Sequence, residues 1–155
     1  MKKQRLRISK IATPMMIVCG LLASGASAMA ESDDRPCSNR TLSGDYGSAA
    51  EGVLIGTPGL PQEAQFRSVG MTHFDGKGNF TGVEHTVING IPLELDWTAN
   101  SGTYSVNSNC TGTMVLNTPN SPVPLSLFFV LVKQGKELHT VLNASAIAAT
   151  WIKIE

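Results

Sequence analysis

The sequence is short of charge and of aromatic side chains: Asp, Glu, Lys and Arg make up 15% of its 155 residues, and Phe, Trp and Tyr 6%. Acids and bases balance at 12 each. No segment sustains a 3.6-residue apolar period, so helix is a minority element at most. The three histidines, His73, His85 and His139, stand in neither H-x-H nor H-E-x-x-H nor any other ligand spacing. That leaves no metal site to assign. No G-x-S-x-G elbow is present to support a nucleophilic serine, and no motif marks a cofactor.

What is there begins with an export signal. Lys2, Lys3, Arg5, Arg7 and Lys10 precede an apolar stretch from Ile11 to Leu22, and small residues from Ala23 to Ala28 follow it. About a dozen residues fall short of the roughly 20 that a spanning helix needs. Residues 1–30 therefore read as a cleavable signal peptide rather than a retained anchor, with cleavage before Met29 or before Glu31. Cys19 lies inside the apolar run, and Met16-Ile17-Val18 ahead of it does not fit a lipobox. Five of the 12 basic residues leave with the leader and none of the 12 acids does, so the mature chain carries 7 bases against 12 acids, a net −5. Such a chain has no basic footprint for nucleic acid and no electrostatic reason to sit on an anionic membrane. The expected location is secreted or periplasmic. In an oxidising compartment the remaining pair, Cys37 and Cys110, reads as a disulfide.

Residues 31–36 form a polar, flexible N-terminus, and the domain proper runs over 37–155. Its apolar and β-branched runs are broken by glycine and proline punctuation. Asp75-Gly76-Lys77-Gly78 and Asn89-Gly90 read as hairpin turns, the latter between strands Val83 to Ile88 and Ile91 to Thr98, with further turns at Asn100-Ser101-Gly102 and Ser108-Asn109. A proline-rich crossing from Thr118 to Pro124 leads into Leu125 to Val132, the most apolar run and an expected buried strand. Lys133 to Lys136 turns it into Glu137 to Asn143, and Ile147 to Ile154 closes the chain. With a first strand in Thr41 to Leu54, the fold class is all-β. A single antiparallel meander of about eight or nine strands avoids open edges by closing into an up-and-down barrel. A β-sandwich is the alternative architecture.

Three groups of side chains are candidates for function. Glu84 is in phase with Phe80, Gly82, Thr86 and Ile88, a mixed face on which a working carboxylate is conceivable. Glu94 and Asp96 alternate with Ile91, Leu93, Leu95 and Trp97, which reads as acids outside and Trp97 inside. Phe66, Met71, Trp97, Phe128 and Phe129 are candidates to line a barrel interior. Small residues at strand positions, such as Gly70, Gly82 and Ala149, would leave room for a ligand or permit tight curvature.

Three segments carry a resemblance: Leu42-Ser43-Gly44-Asp45-Tyr46-Gly47, His73 to Phe80, and Ser101 to Asn107 leading to Cys110-Thr111-Gly112-Thr113. Together they resemble a family of small secreted bacterial proteins of undefined function, with an architecture similar to calycin and allene-oxide-cyclase-type barrels. The resemblance implies a lipocalin-like barrel and carries over no catalytic residue. The leading expectation is an exported barrel that binds a small apolar molecule. A cyclase or isomerase, with Glu84 as its carboxylate, and a structural or surface-interaction protein are the alternatives.

Overall fold

The computed structural model describes residues 36–57, 59–143 and 145–155. Residues 1–30, read above as a signal peptide and including Cys19, and residues 31–35 of the N-terminal segment lie outside the described residues. Nine strands follow in order: β1 (Ser43–Ile55), β2 (Glu63–Asp75), β3 (Asn79–Ile88), β4 (Ile91–Pro92), β5 (Thr98–Val106), β6 (Thr111–Asn117), β7 (Leu125–Val132), β8 (Glu137–Leu142) and β9 (Ala146–Lys153). Every pairing is antiparallel, and the ring runs β1-β9-β8-β7-β6-β5-β3-β2 and back to β1. The fold is thus a closed eight-stranded up-and-down barrel with one short additional strand, β4, on the β3 edge. Ring closure by the β1–β9 pairing excludes the sandwich.

Side chains obey the period of two. In β2, Ala64, Thr72 and Phe74 are buried while Glu63, Arg67, Val69, Met71 and His73 are exposed. Inward residues at one end, here the lower end, form an aromatic plug around Phe74, which is 1% exposed. Tyr46, Phe80, Tyr104 and Trp151 surround it with ring centroids 5.3, 5.6, 5.3 and 5.9 Å away. The pairs with Tyr46, Tyr104 and Trp151 are edge-on, a geometry that adds about 0.5–1.5 kcal/mol each beyond simple burial, and that with Phe80 is tilted. Leu42 and a single 3-10 turn, Asn39–Thr41, close this end. The Tyr104 hydroxyl donates to Leu42 O at 2.7 Å, and the Tyr46 hydroxyl donates to Gly135 O in the β7–β8 turn. Burial pushes the Tyr46 hydroxyl up to about 12 and the Tyr104 hydroxyl upward too, so both remain donors at ordinary pH. Cys37 and Cys110 stand at disulfide distance, Cα atoms 5.0 Å apart, tying this closure to the β5–β6 turn.

Three sequence expectations are corrected. Ile91 to Thr98 is not one strand: only Ile91–Pro92 pairs with Val87 and Ile88, and Leu93 to Trp97 forms an exposed loop. Asn100-Ser101-Gly102 is not a turn but the middle of β5, where Gly102 lets the Phe80 ring pass. A Cβ there would lie 2.6 Å from Phe80 Cζ and 1.9 Å from Val115 O. β7 has the expected bounds, but only one of its faces is buried, and Phe128 and Val130 point outward.

Candidate functional site

Above the aromatic plug the barrel interior changes character. Directly above the plug the inward residues of β1, β2, β3 and β5 are small or polar, with Phe66 and Ile88 beyond them, and hydrogen-bonded register places them in rows across the wall. Ser48, Gly70, Glu84 and Thr98 form one row; Ala50, Ser68 and Thr86 form the next. The opposite wall, from β6 to β9, presents Leu116, Leu125 and Leu142, partly buried against the core cluster to which Leu127 belongs, and the buried Ile147. The two rows of Ser48 and Ala50 make one side of the upper interior more polar than the other.

Glu84 is the charged member of the polar wall and is partly buried. The Thr118 hydroxyl donates to its Oε1 at 2.6 Å and Asn120 Nδ2 to the same oxygen at 3.4 Å, while Asn100 Nδ2 donates to Oε2 at 3.3 Å. Thr118 and Asn120 come from the proline-rich crossing after β6, which bends over the carboxylate. The ion pairs among the described residues lie elsewhere and on the outer surface, for example Arg67 with Glu51 at 3.7 Å. Nearby, the Thr86 hydroxyl donates to Ser68 Oγ at 3.0 Å. Asn100 Oδ1 is buried without a hydrogen-bond partner among the described residues.

The structure divides the candidates for interior lining. Phe66 and Phe129 point inward, Phe66 in the upper half and Phe129 in the plug. Met71 and Phe128 stand on the outer surface, 43% and 53% exposed, and Trp97 lies on the β4–β5 loop, 55% exposed. Met71 follows the phase of Val69 and His73, not that of Thr72 and Phe74. In Phe128-Phe129 the two rings necessarily point to opposite sides. Trp97 packs against His85 from outside, with centroids 6.1 Å apart. His73 bonds Asp45 at 2.7 Å and His139 bonds Glu137 at 2.8 Å, again on the outer face. The three histidines therefore converge neither on one another nor on Glu84.

At the strand glycines Gly70 and Gly82 the neighbouring backbone comes close. A Cβ at Gly70 would sit 2.7 Å from Val83 O, and one at Gly82 would sit 2.4 Å from Met71 O.

A second feature, with no signal in the sequence reading, lies outside the barrel. A shallow groove of about 1150 Å³ crosses the strands, floored by the backbone of the row Ser68, Ala50, Ala149, Thr140, Phe129 and Gly112. Its walls are the flanking outward rows, in which Val69, Val87, Phe128, Val130 and Val141 are apolar. Alternation in β7 and β8 could have found it, because outward valine and phenylalanine are unusual on a solvated face.

No protein-family model, no curated protein and no solved structure matches this chain.

Proposed function

We propose that the chain is exported and that its barrel takes up a small, mainly apolar molecule in the upper half, with Glu84 as the polar anchor. The observation that carries this reading is a carboxylate on the inner wall, held by three neutral donors, facing a wall of leucine and isoleucine. Ligand sites characteristically combine an apolar lining with a few convergent polar groups. The outer surface bears the charged or titratable side chains Glu51, Arg67, His73 and Glu137, and an aromatic cluster packs the lower interior, unlike a barrel with a continuous apolar outer band and a polar lumen. That pattern supports a chain without a stable membrane anchor. Native mass spectrometry of the protein purified from its own host tests the reading. A bound small-molecule mass is expected on the wild type and its loss on Ala50→Phe, which fills the upper interior; a bare polypeptide mass from host material, with no adduct on any added apolar probe, refutes it.

A second reading, a surface-interaction protein, is favoured by the exposed Phe128, Val130 and Val141 on the outer groove. Size-exclusion chromatography across a dilution series separates the two: a monomer at every concentration counts against self-association. A cyclase or isomerase would need a second proton-transfer group facing Glu84, and His73, His85 and His139 all face outward.

A further inference from the structure

We infer that the molecule bound in the upper barrel carries a cation, an apolar body bearing a protonated amine seated on Glu84. The inference rests on the ligand-binding reading above and specifies its chemistry. An ionised carboxylate offers about four acceptor positions. Thr118 and Asn120 occupy Oε1, and Asn100 takes one position on Oε2, so one strong acceptor on Oε2 is left. All three protein donors are neutral, so the negative charge is hydrogen-bonded but not compensated by any described cation. A partly desolvated charge gains most from an opposite charge, and charge-assisted hydrogen bonds are roughly twice as strong as neutral ones.

The neighbours suit an ammonium, which brings three donors and no acceptor. Ser48 and Thr98 share the ladder row of Glu84 and supply hydroxyl oxygens on either side of it. Gly70, between Ser48 and Glu84, puts no side chain between them, and Ser48 Oγ leans to 3.1 Å from where its Cβ would be. Leu116, Leu125 and Leu142 across the barrel would take the apolar body. The net −5 of the mature chain attracts a cation and repels an anion at longer range.

Three probes of one shape separate the possibilities: phenethylamine, 2-phenylethanol and phenylacetate, charged positive, neutral and negative. Each is titrated into the exported wild-type chain and into Glu84→Gln, with amide NMR shifts giving both affinity and location. Phenethylamine should move the amides of Ser48, Glu84 and Thr98 and bind about tenfold more tightly than the alcohol. Phenylacetate should not bind there. Glu84→Gln should bring the amine down to the affinity of the alcohol and leave the alcohol unchanged. An alcohol that binds in the upper barrel as tightly as the amine overturns the cation and leaves the barrel reading standing. Failure of every probe to reach those residues overturns both. If Glu84→Gln does not fold, the wild-type comparison of amine with alcohol decides alone.

Discussion

Replacing Cys37 and Cys110 together with alanine should cost the domain about 4 kcal/mol. The two cysteines are 73 residues apart in sequence, and closing a loop of that length restricts the unfolded chain by this amount on the chain-entropy model. The fold itself should survive, because the closure of the lower end has other attachments. Cys37 N donates to Ser108 O at 3.1 Å, Val106 N donates to Asn39 Oδ1 at 2.8 Å, and Tyr104 holds Leu42 O. Urea unfolding is the assay, followed by tryptophan fluorescence, in which Trp151, buried beside Phe74, changes environment while Trp97 is already exposed in the fold. With a slope of about 2 kcal/mol per molar, the midpoint should fall by about 2 M. A double-alanine midpoint within about 0.3 M of the oxidised wild type would refute the reasoning. So would two reactive thiols in the non-reduced, denatured wild-type protein.

Two further substitutions probe the barrel. At Gly112 a Cβ would lie 2.2 Å from Phe129 Cζ and 2.3 Å from Ser105 O, so Gly112→Ala must displace either a core ring or a ladder carbonyl. A loss of about 1–3 kcal/mol in thermal unfolding is expected, and an unchanged melting temperature would show that the ring yields freely. Asp75 organises the β2–β3 turn: Asn79 Nδ2 bonds Oδ2, while the N–H groups of Asn79, Lys77 and Gly78 bond Oδ1. These bonds, that of the Asn79 side chain foremost, hold its carboxyl well below the usual range. Its stabilisation is thus complete above the ordinary carboxylate pKa and declines as pH falls toward the lowered folded value. Asp75→Asn should therefore be less stable than wild type at about pH 6, with the gap narrowing by about pH 3. A gap that stays constant or widens contradicts the assignment.

The hairpins were legible where a turn residue has no second use. Asp75-Gly76-Lys77-Gly78 contains glycines at φ +71° and +117°, and Asn89-Gly90 has positive φ at both positions with open space around Gly90. Gly102 misled because the same residue type also permits a ring to cross a strand, a requirement set by Phe80 in another element. The segment from Ile91 to Trp97 alternates as well as any strand in the chain, yet alternation needs a neighbour to pair with. Pro92 lacks an N–H to continue the ladder, and below Thr86 the β3 edge is taken by β5 from Thr98 onward. Leu95, at 98% exposure, is what an unpaired strand pattern becomes.

The same distinction governs the site. Glu84 was placed on its correct face by its phase with Phe80 and Ile88, a local property of β3. Its three hydrogen-bond partners lie 16, 34 and 36 residues away. Two belong to a crossing whose prolines announce only that it is not a strand. What brings Thr118 and Asn120 over Glu84 is a mismatch of strand length. β5 begins at Thr98, but its pairing with β6 begins only at Ser101, so above that point the wall has no β6 ladder beside β5. The crossing after Asn117 meets this stretch of wall, and Thr118 and Asn120 bond the side chain that β3 turns toward it. A hydrogen-bonded carboxylate on the inner face is thus a consequence of where the β5–β6 ladder stops, and that register follows from closing all eight strands into one ring.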